Sequence, residues 1–128
     1  MSNITSDNIT SLGPNEIFCY GANRAGIHGK GAAKQALQWG AIYGKVGFVG
    51  QTYGICTKDE NIQTLGLKDI YEEIQAFLLF AWTHPQFHFL VTAIGTGLAD
   101  LKVEEIAPMF DNVPPNVSLP LSFWEIIG

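Results

Sequence analysis

The run Phe87 to Ile94 (FHFLVTAI) is almost continuously apolar and rich in aromatic and β-branched residues. A strand with one wet face alternates apolar with polar residues. A run without that alternation reads as a strand covered on both faces, the situation of a parallel sheet lying between helices. This run opens straight into Gly95-Thr96-Gly97-Leu98-Ala99-Asp100. Upstream, Ile17-Phe18-Cys19-Tyr20 is a second strand candidate. It leads into Gly21-Ala22-Asn23 and then the glycine-rich Gly26-Ile27-His28-Gly29-Lys30-Gly31-Ala32-Ala33. Glycine permits close backbone approach and alanine is the best helix former, so the segment predicts strand, glycine loop and a helix running through Trp39.

Gln51–Thr57 predicts another buried strand, ended by Lys58-Asp59-Glu60-Asn61, whereas Gly40–Gly50 is punctuated by glycine and predicts no regular element. The clearest helix carries Leu67, Ile70, Tyr71, Ile74, Phe77, Leu78, Ala81 and Trp82 on one wide face, and Pro85 stops it. A short helix is expected around Val103–Phe110, with Pro108 tolerated only in a first turn. Pro114-Pro115 marks a turn, and Val117–Leu119 with Phe123–Ile127 supply closing strands. The class is therefore α/β: a single domain over 15–128, with a mixed, mostly parallel sheet flanked by helices, after a polar tail or edge segment at 1–14.

Composition narrows the function. Of 128 residues, 47% are hydrophobic and only 15% charged, which implies one sizeable core and excludes disorder. Seven basic residues face twelve acidic ones, a net charge of −5, the wrong sign for a general nucleic-acid binder. Cys19 and Cys56 belong to no C-x-x-C motif or Cys/His cluster, so neither a zinc site nor a disulfide scaffold is expected. His84 and His88 have no third ligand at metal spacing, and no metal or cofactor is expected. The chain shows no signal-peptide pattern and no apolar run long enough for a membrane span, so no membrane partner is expected and the expected location is cytoplasmic.

Both glycine loops follow an apolar strand and precede a helix, the edge at which open α/β sheets bind ligands. Backbone N–H groups in such loops form anion-binding concavities, which would hold a diphosphate without many basic side chains. Gly26, Gly29 and Gly31 miss the G-x-G-x-x-G spacing, and no P-loop motif occurs. On residue types alone, phosphate binding and ligand-free tight turns both stay open.

Ile94-Gly95-Thr96-Gly97-Leu98 after a buried strand resembles the second phosphate loop of macro domains, the ADP-ribose-binding fold. Gly29-Lys30-Gly31-Ala32-Ala33 is similar to that family's first ligand loop. Tyr53-Gly54-Ile55-Cys56-Thr57-Lys58 resembles the Tyr-Leu-Ile-Thr-Lys segment of the subgroup that holds the terminal ADP-ribose protein glycohydrolase and the DNA ADP-ribosyl glycohydrolase antitoxins. The likeness spans roughly Ile17 to Leu119.

It implies a macro-like fold that binds ADP-ribose or a related nucleotide and hydrolyses an ADP-ribosyl linkage, with ADP-ribosylated protein or DNA as partner. In the subgroup a lysine attacks the anomeric carbon and an aspartate after the second loop resolves the adduct. Lys58 matches the lysine; Asp100 stands one residue later than the family's aspartate, because Ala99 intervenes. The lysine would need the lowered pKa that burial can give, and the aspartate would act as acid and base. The ligand contacts implied are Gly21, Asn23, His28, Gly29, Gly31, Ala32, Thr57, Gly95, Thr96, Gly97 and Leu98.

Plainer readings stand beside these: Lys58 as a solvated turn residue, Asp100 as a helix cap, Asn23 as a local turn former, His28 as an exposed loop histidine and Cys56 as an inert core thiol. From different classes, a non-catalytic reader or sequestering protein for ADP-ribose-like signalling nucleotides, and a phosphatase or deacylase of free ADP-ribose derivatives, fit the same loops.

Overall fold

The structure, a computed structural model, describes residues 3–97 and 99–128. Six strands form one sheet: β1 (Ile4–Thr5), β2 (Glu16–Asn23), β3 (Gly47–Val49), β4 (Thr52–Lys58), β5 (His88–Val91) and β6 (Val117–Pro120), in the spatial order β1-β6-β5-β2-β4-β3. Every neighbouring pair is parallel except the edge pair of β3 with β4. The helices are α1 (Gly31–Ala36), α2 (Leu67–Trp82), α3 (Val103–Ile106) and α4 (Leu121–Ile127). The domain is α/β with a mixed, mostly parallel sheet.

The two faces of the sheet are covered by different aromatic layers. Tyr53 on β4 and Phe89 on β5 meet Phe77 of α2 edge-on, at centroid distances of 5.0 and 5.5 Å. On the opposite face Phe18 of β2 packs against Trp39 at 4.8 Å. Phe77 is fully buried, and truncating such a ring typically costs about 3–5 kcal/mol because a cavity remains. β5 lies between β2 and β6, and its burial alternates, with Phe89 and Val91 fully buried and His88 and Leu90 partly so.

Several boundaries differ from the sequence expectation, each for a tertiary reason. Gly21-Ala22-Asn23 is not loop but the last turn of β2, pairing with Ile55, Cys56 and Lys58 across a bulge. The alanine-rich helix ends at Ala36, and a 3₁₀ turn carries the chain through Trp39 to Gly40. The glycine-punctuated segment supplies the short edge strand β3. Pro108 sits in the first turn of a 3₁₀ segment, Ala107–Phe110, that takes over where α3 stops. Phe123–Ile127 is not a strand: it belongs to α4, whose Phe123 packs on Phe110 at 5.6 Å. The positions beside β6 are both filled, by β5 on one side and β1 on the other. The N-terminal residues supply β1, with Ile4 and Thr5 in register with Leu119 and Pro120. On α2 the buried stripe is narrower than the apolar one: Leu67, Tyr71 and Trp82 are exposed. No helix among the described residues is long and apolar enough to cross a membrane.

Candidate functional site

The chain leaves β2 for β4 on one side and later returns to build β5 on the other, so the connections diverge at the carboxyl end of β2. A cleft of about 550 Å³ opens there, within the range of small-molecule sites. β2 contributes Gly21 and Asn23 to its lining, and β4 contributes Thr57 and Lys58. The start of α1 contributes Gly29, Gly31 and Ala32, and the second loop contributes Gly95 and Gly97. Leu98 lies outside the described residues.

The floor is made of groups that leave backbone exposed. A Cβ placed on Gly21 would stand 3.6 Å from both Gly95 N and Thr57 Oγ1, so the missing side chain leaves those polar groups facing open space. Thr57 is 3% exposed and lines the cleft. Gly95 turns the chain in the left-handed region (φ 78°), and Leu101 N–H donates back to its carbonyl at 2.7 Å. At α1 the capping position is held by Lys30, which supplies no side-chain cap, so the N–H donors of the first turn keep no side-chain acceptor. Lys30 and Lys58 are the two charged residues in the lining, and no carboxylate lies there among the described residues. In a chain of net charge −5 that is a local reversal of sign.

Lys58 is the last residue of β4 and is half-buried. Its carbonyl accepts the Arg24 N–H at 3.0 Å, and it bridges to Thr64 on the far side of a tight loop. Asp59 closes that loop, its Oδ1 accepting the N–H groups of Asn61 and Gln63 at 2.8 and 3.0 Å. The loop holds Ile62 at φ 61°, a conformation that costs a β-branched residue about 1–2 kcal/mol, and the residue joins the cleft lining. The Asn23 amide is used locally: Nδ2 donates to the Ile27 carbonyl and Oδ1 accepts the Ile27 N–H, each at 3.0 Å.

Asp100 neither caps a helix nor lines the cleft. α3 begins three residues later behind Lys102, whose N–H is received by Glu105 Oε1 at 3.0 Å. Asp100 is exposed at φ 58°, its own N–H donating to the Gly97 carbonyl at 2.9 Å. No ion pair joins it to Lys58 among the described residues. Ala99, the intervening residue, is the one turned toward the cleft.

His28 is also away from the ligand space, 1% exposed rather than on a loop surface. Its Nδ1 lies 2.8 Å from the Gly26 carbonyl, which can only accept, so Nδ1 carries a proton, and Nε2 lies 2.9 Å from the Tyr20 hydroxyl. Burial, with a smaller contribution from Cys56, raises the Tyr20 phenol to about 12 and keeps that hydroxyl protonated. Thr96 turns its hydroxyl onto the Ala93 carbonyl at 2.7 Å and does not line the cleft. Cys56 is buried, free and raised to about 11, chiefly by desolvation.

Sequence reasoning passed over Thr92 and Ala93, which line the cleft and also a smaller pocket of about 150 Å³ beside it. Thr5, whose Oγ1 is buried without a partner among the described residues, lines that side pocket together with Asp7 and Gln35. The polar Thr92 interrupting FHFLVTAI was the available signal. At the opposite, amino end of the sheet Ser118, His88 and Glu16 form a row, with Ser118 Oγ 2.6 Å from His88 Nε2 and Glu16 Oε2 3.8 Å from Nδ1. Ser118 is 2% exposed. No group of three metal-ligating side chains occurs among the described residues.

No family model, curated protein or solved structure matches this chain.

Proposed function

We propose that the cleft binds ADP-ribose or a closely related nucleotide, with the diphosphate between the two glycine loops. The observation that carries the reading is the reversal of charge. An acidic chain puts two lysines, no carboxylate among the described lining residues, and glycine-exposed backbone at the point where its sheet connections diverge. The side pocket shared through Thr92 and Ala93 gives a nucleobase polar groups to meet. The resemblance to macro-domain loops supplies the identity of the nucleotide, free or attached to a protein or DNA. The reading requires no metal or cofactor, and the two unpaired buried cysteines suit a cytoplasmic setting.

Hydrolysis of an ADP-ribosyl linkage would use Lys58 as nucleophile and needs an acid/base beside it. Asp100 does not line the cleft, which favours the second reading, a non-catalytic reader or sequestering protein. Calorimetric titration with ADP-ribose, AMP and a cyclic ADP-ribose isomer tests the binding. Micromolar or tighter binding of ADP-ribose over AMP is expected; silence toward all three overturns the reading. Release of ADP-ribose from a modified protein or oligonucleotide would restore the hydrolase.

A further inference from the structure

We infer that the ligand is a free dinucleotide whose second ribose carries a planar heterocycle, held between Ile27 and Ile62 at the mouth of the cleft. The inference rests on the ADP-ribose reading above, in which that ribose lies beside Lys58. Lys58 is the root of two flanking loops. On one side it pairs with Asn23, whose amide fixes Ile27 through two bonds of 3.0 Å. On the other it bridges to Thr64, and the intervening turn, closed on Asp59, presents Ile62. Two branched aliphatic side chains, 49% and 41% exposed, thus line the same cleft as the lysine, which is otherwise lined mainly by small residues.

Asparagine or glycine would occupy the left-handed position of Ile62 at less cost, so the loop spends strain to show an apolar surface there. A flat ring gains from contact with both isoleucines. The polar or charged side chain of a modified protein would be desolvated against them without a hydrogen bond in return. A nucleic-acid acceptor is disfavoured as well: Asp59 and Glu60 follow Lys58 directly and Asp100 is exposed beyond the second loop, where backbone phosphates would have to run.

The test is equilibrium titration of the whole chain with NAD⁺, ADP-ribose and an ADP-ribosylated oligonucleotide, repeated on Ile62→Asn and Ile27→Ser. Asparagine keeps the left-handed backbone, so Ile62→Asn should stay folded. NAD⁺ is expected to bind about tenfold tighter than ADP-ribose, the effect of covering roughly 60 Å² of ring. In either variant that ratio should fall to within about twofold. Equal affinities in the wild type, a ratio that survives both substitutions, or tighter binding of the oligonucleotide than of NAD⁺ overturns the inference while leaving the nucleotide reading standing. Silence toward every ligand overturns both.

Discussion

Gly21→Ala separates the fold from the site. The backbone there is ordinary β-strand, and the added methyl would sit 3.6 Å from Gly95 N, 3.6 Å from Thr57 Oγ1 and 3.7 Å from Ile94 Cβ, all normal van der Waals contacts. Folding should therefore tolerate the change, and replacing a strand glycine gains about 0.4–1 kcal/mol from lower chain entropy. At this chain length that shifts Tm upward by roughly 2–5 °C. Binding should move the other way. The methyl stands between a backbone N–H and a hydroxyl, where a phosphate oxygen bridging them would lie. Losing one hydrogen bond to a charged group costs about 1.5–3 kcal/mol, or roughly a 10- to 150-fold rise in Kd. Thermal melting and calorimetry on the same preparation read both quantities. A folded variant with unchanged ADP-ribose affinity would show that nothing polar binds on the β2 floor, and the cleft assignment would fail with it.

Lys58→Ala should weaken ADP-ribose binding about tenfold and abolish any release of ADP-ribose from a modified substrate; turnover surviving in that variant excludes Lys58 as nucleophile. Gly97→Glu meets open space at its Cβ and should fold, yet it adds a carboxylate to the loop and should cut nucleotide affinity at least tenfold, measured by titration at low salt. Gly26 and Gly44 both have positive φ, but a Cβ at Gly26 would lie 2.6 Å from the Gly44 backbone, whereas one at Gly44 meets nothing within 4 Å. Gly26→Ala should therefore cost about 2–5 kcal/mol in urea denaturation and Gly44→Ala about 1, and equal losses would refute the close approach. Burial raises Cys56 to about 11 and the phenols of Tyr20 and Tyr53 from 10 to about 12. Their native pKa values exceed the unfolded ones, so the native state holds protons that the unfolded state gives up first. Stability from these groups is complete below pH 9 and falls as pH rises toward 11 and 12. A urea midpoint that stays flat from pH 8 to about 10.5 would contradict this.

What the sequence reveals of this fold is what depends on neighbours in the chain. The apolar period of α2 locates Leu67–Trp82, and the apolar run at 87–94 locates β5, although burial along that strand alternates. What it hides depends on distant partners. The bulky residues of Leu121–Ile127 look like strand, whereas the place beside β6 is taken by a strand from the other end of the chain. His28 between glycines looks like a ligand group, until Tyr20 and Tyr43, eight and fifteen residues away, bond its ring and its carbonyl. The site divides along the same line. Its glycine loops are local and legible, whereas the partnership of Lys58 and Asp100 depends on one residue. Ala99 is 8% exposed and its carbonyl accepts the Thr64 hydroxyl at 3.2 Å, so the second loop is tied to the loop behind Lys58 by the very residue that intervenes. Ala99 lines the cleft, whereas the left-handed Asp100 that follows it is exposed and does not. On the hydrolase reading proposed above, the loop that would deliver an acid/base therefore delivers a methyl to the cleft.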